Sequence, residues 1–177
     1  MRIITFTGKS GCGKSTQESQ FEKLGFIRLI SYTTRKPREY EVNDRDYHFV
    51  THERFNELFK KGYIIEKTKY ADNLYGLEQP VGGTDYVAVV ETDGVKSLKE
   101  IYGNQVISVY LDIDAEIATS RRNERNFMNI NENMARDLSD DTKFENIEDL
   151  LDIVISVRNK DAKSITAEIL QKVREFR

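Results

Sequence analysis

The chain has 177 residues, 38% of them hydrophobic, and its 27 Lys and Arg against 30 Asp and Glu give a formal net charge of -3. That length supports one ordinary core, and the single cysteine, Cys12, excludes an intrachain disulfide and a CxxC zinc half-site and favours a reducing, cytoplasmic setting. No apolar run reaches the roughly 18 residues that span a bilayer, the MRIITFTG start lacks a signal peptide's layout, and the acidic balance disfavours nucleic acid as a partner.

The residues from Arg2 to Thr7 form a β-branched run that stops at Gly8, and Lys14 to Leu24 is helix-compatible and ends at Gly25. The pattern predicts strand, glycine loop, helix. Phe26 to Ser31 reads as a second strand, and Tyr32 to Arg45 as a cation-rich loop around Pro37. Strand-like segments at Asp46 to Val50 and Tyr63 to Tyr70 flank a helix capped by Thr51, with Phe55, Leu58 and Phe59 on one face. Leu77 to Asp85 (LEQPVGGTD) is full of breakers and predicts a loop or tight hairpin. Tyr86 to Glu91 reads as a strand buried on both faces, followed by a helix aligning Val95, Leu98 and Tyr102 and stopped by Gly103. Gln105 to Leu111 predicts a strand, Asp114 to Arg125 a charged helix, and Glu132 to Phe144 another after a polar gap. A last strand at Ile153 to Val157 precedes a helix capped by Asp161, with Ile165, Ile169, Val173 and Phe176 on one stripe. Alternating strands and helices imply an α/β fold with a parallel sheet covered on both faces, interrupted by an insertion with its own small sheet.

Gly8-Lys9-Ser10-Gly11-Cys12-Gly13-Lys14-Ser15 fits GxxxxGK[ST] between a predicted strand and a predicted helix. In such a loop glycines let backbone N–H groups turn inward around phosphates, Lys14 reaches the β- and γ-phosphates, and the Ser15 hydroxyl is a Mg²⁺ ligand. Gly8, Ser10, Gly11, Cys12, Gly13, Lys14, Ser15 and Thr16 are therefore the expected nucleotide-binding residues. Arg35 and Arg38 flank Pro37 in a stiffened loop, where two guanidinium forks can grip one phosphate.

Together, the phosphate loop, SYTTRKPR, Glu41, the DYHF at Asp46 to Phe49, Glu66 and the YG at Tyr75 and Gly76 resemble guanylate kinase in order and spacing. Arg121, Arg125 and Arg136 match the arginine spacing of that family's lid. The resemblance implies a three-layer P-loop core (1–31 and 86–177), a helical lid at about 122–137, and a small mixed α+β monophosphate-binding insertion (32–85). It further implies that Arg35, Arg38, Tyr47 and Tyr75 hold a GMP or dGMP phosphate. Ser31 and Glu66 would read the guanine edge, and Glu91 would stand for a family aspartate near base and metal. Lys14, Arg38, Arg121, Arg125 and Arg136 are the expected catalytic cations, with ATP and Mg²⁺ as cosubstrate and cofactor. The protein is expected to be a cytoplasmic monomer or homodimer that acts on small molecules, without nucleic-acid or membrane partners.

The chain departs from the family pattern at several points. Leu77 stands where the family has a Ser or Thr that touches the base, Tyr40 and Asp44 replace glycines, and Val157 replaces an asparagine bordering adenine. Leu77 leaves open a deoxynucleoside monophosphate kinase of other or broad base specificity. A non-catalytic interaction module of the same fold is the remaining alternative, disfavoured by Lys14, Ser15 and the lid arginines.

Overall fold

The structure, a computed structural model, describes residues 1–70, 72–125 and 148–176. Five parallel strands form the central sheet: β1 (Ile3–Thr7), β2 (Ile27–Arg28), β7 (Tyr86–Val89), β8 (Val106–Asp112) and β9 (Ile153–Ser156). Their order is β2-β7-β1-β8-β9. Successive side chains point to opposite faces of a strand, so Ile4, Phe6 and Val109 face one way and Ile3 and Val106 the other. The first face packs under α1 (Lys14–Lys23), through Phe21, and under the C-terminal helix α5 (Ala162–Glu175), through Ile165, Ile169 and Val173. The second face packs under α3 (Thr92–Tyr102), through Val95 and Leu98. This is the three-layer arrangement expected of near-continuous apolar strands. Phe21 sits edge-on between Phe6 and Phe26, at ring separations of 5.3 and 5.0 Å.

A second sheet, in the order β4-β3-β6-β5, is built from β3 (Ser31–Thr33), β4 (His48–Phe49), β5 (Thr68–Tyr70) and β6 (Asn73–Leu77). Its apolar side clusters with Phe55 and Leu58 of α2 (His52–Lys60), together with Ile64 and Leu74. Thr51 caps α2 by accepting from the Arg54 N–H at 3.2 Å. Gly76, in the middle of β6, permits this packing. A Cβ there would lie 2.3 Å from the Glu66 carbonyl oxygen and 2.4 Å from Ile64 Cγ2. Gly76→Ala is accordingly expected to lose about 1–3 kcal/mol of stability, measured as a lower urea midpoint with an unchanged slope.

The insertion joins the core through a narrow neck. Ser31 faces Leu77 across the β3/β6 pair. Just below, the Glu78 carboxylate accepts from the Ile30 N–H at 2.7 Å, and the Glu78 N–H donates to the Ile30 carbonyl at 3.3 Å. Leu77 itself is fully buried and belongs to the core cluster of Leu29 and Tyr86.

Several expectations change. The strand expected at Phe26 to Ser31 divides, because the chain crosses there from one sheet to the other: Ile27 and Arg28 pair with β7, and Ser31 pairs with β6. The expected loop from Tyr32 gives Tyr32 and Thr33 to β3, and the strand expected from Asp46 begins only at His48. Between Tyr63 and Tyr70 only the last three residues are strand, although Ile64 makes an isolated bridge to Glu78. Phe59 is 39% exposed and does not join Phe55, and Phe176 lies past the end of α5 and is 44% exposed. The charged helix α4 (Ala115–Arg125) is present. The helix expected at 132–144 and most of the expected lid lie outside the described residues. Among the described residues no helix is long and apolar enough to cross a membrane.

Candidate nucleotide site

The glycine loop joins the carboxyl end of β1 to α1. Gly8, Gly11 and Gly13 adopt φ of 140°, 91° and 100°, values that favour glycine. Space imposes the same choice at two of them: a Cβ on Gly8 would lie 2.7 Å from the Leu111 carbonyl oxygen, and one on Gly11 2.7 Å from that of Ala118. Gly13, the residue before α1, offers no side-chain cap, so the N–H groups of the first turn are left for an anion. Lys14 folds back over the loop, and its ammonium donates to the carbonyls of Gly8 and Lys9. Ser15 and Thr16 are exposed at the head of the helix, and Ser10 is half-buried in the loop. Cys12 is 2% exposed and packs in the core cluster with Phe21, while its N–H donates to the Lys9 carbonyl.

The arginine loop is organised by Glu41. Arg35 grips that carboxylate with both terminal guanidinium nitrogens, at 2.8 and 2.9 Å, and the Arg38 N–H donates to the same group at 2.7 Å. Burial alone would raise the Glu41 carboxyl, but the Arg35 fork and the Arg38 N–H outweigh it and hold the group below the ordinary carboxylate range. Arg35 lies 5.5 Å over the Tyr47 ring, and Tyr47 meets Tyr75 edge-on at 6.3 Å. Burial pushes the Tyr47 phenol up. The Arg38 side chain is 43% exposed, with its guanidinium 3.9 Å from Glu41.

Elsewhere in the insertion Glu66 follows the end of α2 and accepts from the Thr68 hydroxyl at 3.2 Å. Burial pushes its carboxyl up to about 7, against the pull of the Thr68 hydroxyl and the Leu77 N–H, while Asp93 adds to the rise. Thr33 of β3 pairs with Tyr75, which puts Ser31 two residues along the same strand. Glu91 precedes α3 and is exposed.

Between the two sheets lies a cleft of about 190 Å³ that brings Ser15 of the glycine loop to the same space as Ser31 and Tyr47. Glu66, Tyr75, Glu91 and Arg38 are not among its walls. Arg121 is half-buried on α4, Arg125 is the last residue of that helix, and Arg136 lies outside the described residues. Leu77 does not reach the cleft, since its side chain is committed to the core.

Three charged residues went unassigned by the sequence reasoning. Glu41 belonged to the motif, but nothing in its spacing showed that it holds both arginines. Arg28 carried a signal, a cation inside the apolar run FIRLIS. Glu18 carried none, because α1 has no clear apolar stripe and buries Gln17 and Glu18 beside Phe21.

Residues 1–174 match the family model described as guanylate kinase. A guanylate kinase of Wolbachia pipientis wMel is 33% identical over 117 residues, which are 62% of this chain and 58% of that protein. One of Lactobacillus delbrueckii subsp. bulgaricus is 34% identical over 107 residues, 55% of this chain and 52% of that protein. The chain thus spans little more than half the length of these relatives in the matched stretch. The crystal structure of guanylate kinase from Anaplasma phagocytophilum has the same fold, with a TM-score of 0.75 at 22% identity, covering 98% of this chain and 85% of that one. With a family match over nearly its whole length, and the glycine loop and arginine loop both inside it, the chain belongs to the guanylate kinase family.

Proposed function

We propose that the protein transfers the γ-phosphoryl group of ATP to GMP or dGMP. The observation that supports this most is the shared cleft, with Ser15 of a phosphate loop on one side and Ser31 and Tyr47 of the insertion on the other. A donor phosphate over α1 and an acceptor phosphate near Tyr47 then meet in one space, as in-line transfer requires. An acceptor phosphate oxygen attacks the γ-phosphorus, the bond to the β-phosphate oxygen breaks, and ADP leaves.

In this reading residues 32–85 bind the acceptor, and 1–31 with 86–177 form the donor-binding core and its lid. Lys14 exchanges its loop carbonyls for the β- and γ-phosphate oxygens. Arg35, Arg38, Tyr47 and Tyr75 take the acceptor phosphate, and Arg121, Arg125 and Arg136 close over the transferring group. Ser31 and an ionised Glu66 read the guanine edge; the carboxylate accepts from N1–H and the 2-amino group, a donor pair that adenine lacks. Mg²⁺ keeps most of its ligands from water and substrate phosphates, and the exposed hydroxyl of Ser15 beside the phosphate loop fits that need. When bound, the ion would draw charge from the phosphate oxygens.

Glu41→Ala is expected to raise the KM for GMP about tenfold with a smaller change in kcat, since Arg35 loses the carboxylate that fixes its fork. Steady-state kinetics at saturating ATP give the split directly. The reading as a whole is tested by ADP formation from ATP and Mg²⁺ with GMP, dGMP, AMP, dAMP, CMP, dCMP, UMP and dTMP in turn. Preference for GMP and dGMP is the expected result; turnover of another base would move the specificity, and none with any acceptor would overturn the reading.

A further inference from the structure

Glu18 and Arg28 have no part in the function proposed above, yet both line the cleft that it uses. Glu18 lies one turn after Ser15 on α1, and only 3% of its side chain is exposed. Its carboxylate approaches Nε of Arg28, which reaches over from β2, to 3.0 Å. The approach lies outside hydrogen-bond angles, so that Nε is buried with no hydrogen-bond partner among the described residues, and the contact is ionic. Burial pushes the Glu18 carboxyl up to about 7 even though Arg28 pulls it down. A carboxylate this deep is tolerated only beside its cation, so Glu18 determines where the guanidinium sits.

Arg28 is the one cation among the described walls of the cleft, against Glu18, Glu41 and Asp46. Two of those carboxylates are engaged elsewhere: Glu41 by the Arg35 fork, and Asp46 by Arg45 at 2.7 Å and by the Val42 N–H at 2.8 Å. The cleft takes in Ser15 and Tyr47, given above to the donor and acceptor phosphates, together with Ser31 and without Glu66, so its cation shares the space in which the two phosphates meet. A guanidinium has donors only, in a planar fork that suits phosphate oxygens.

Resting on the function proposed above, we propose that Arg28 is a further guanidinium for the acceptor phosphate, supplied by the core sheet and not by the insertion, with Glu18 as its positioning residue. The acceptor phosphate then ties insertion to core when it binds, because Arg35 and Arg28 hold it from separate sheets.

The test is calorimetric titration of GMP into the wild type, Arg28→Met, Arg28→Lys, Glu18→Gln and the Arg28→Met/Glu18→Gln double variant, with KM for GMP and ATP and melting temperatures alongside. Arg28→Met is expected to weaken GMP binding at least tenfold and to raise the KM for GMP, leaving the KM for ATP unchanged. Arg28→Lys should recover part of the loss. Glu18→Gln should weaken GMP binding in the wild-type background and have no further effect once Arg28 is gone, since a residue acting through another is silent without it. Unchanged GMP affinity with a lowered melting temperature would overturn the proposal, reducing Arg28 to a tie between β2 and the Asp46 turn. Equal losses for GMP and ATP would overturn it as general damage. A wild type that binds no GMP would overturn this proposal and the proposed function together, whereas equal GMP binding by wild type and Arg28→Met overturns this one alone.

Discussion

Lys14→Ala is expected to lower kcat by about 10²–10³-fold, the range seen when one preorganised donor to a developing charge is removed. The same variant should melt at the wild-type temperature. The Lys14 ammonium donates to the carbonyls of Gly8 and Lys9 and approaches the Cys12 sulfur to 4.0 Å, in a half-buried setting where water can take its place. The glycine loop keeps its shape without the lysine, because Gly8 and Gly11 are fixed by their closeness to the Leu111 and Ala118 backbones. Calorimetric melting paired with single-turnover transfer from ATP checks both halves. Near-normal transfer by a folded variant would remove Lys14 from the chemistry, and with it the reading of the loop as a donor site.

Glu66→Gln should separate function from stability in opposite directions. Turnover of GMP is expected to fall about 10²-fold in kcat/KM, because the amide turns an NH₂ toward donors that need an acceptor. The fold should become firmer at alkaline pH. The Glu66 carboxyl rises from its ordinary 4.5 to about 7, chiefly by burial, so the folded chain holds a proton there that the unfolded chain has lost. Stability from this group is therefore full below about 4.5, declines as pH rises toward 7, and stays low above it. A glutamine has no charge to bury, so Glu66→Gln is expected to unfold at higher urea than wild type at pH 8 and at nearly the same urea at pH 4.5. The difference should be on the order of 2 kcal/mol, since water at the half-buried site screens part of the shift. For the wild type, guanine donors favour the ionised carboxylate, so the KM for GMP should rise as pH falls below 7. A KM indifferent to Glu66→Gln would take the residue out of base recognition.

The core was legible because its signals are redundant. Residues 3–7, 86–89 and 106–112 are β-branched runs between glycine or polar stops, and GxxxxGK[ST] marks the turn from β1 into α1. The small sheet was less so. β6 contains an asparagine and a glycine and has no alternation, and Gly76 is there for the space it leaves under the Glu66 carbonyl, which no propensity registers. Leu77 shows the limit of reading a site by position: the resemblance sets it against a Ser or Thr that touches the base, yet its side chain fills the core beneath the neck. The pairing of Glu18 with Arg28 was illegible for a related reason. They are 10 residues apart and meet only because α1 crosses β2, and sequence spacing carries no trace of that crossing.

The neck has an engineering consequence. The insertion leaves the core at Ser31 and returns at Leu77, residues that face each other across one antiparallel pair, with the Ile30 and Glu78 backbones bonded just below. Such a junction is a cassette boundary: replacing everything beyond it asks the core to accommodate two strand ends already held side by side and to cover the place of Ile65, which packs against the cluster of Leu29 and Tyr86. A shortened chain that joins them by a two-residue hairpin turn keeps Leu77 in its place and leaves the five-stranded sheet untouched. On the function proposed above, such an exchange should carry base preference with the insertion, while the contact proposed for Arg28 stays with the core.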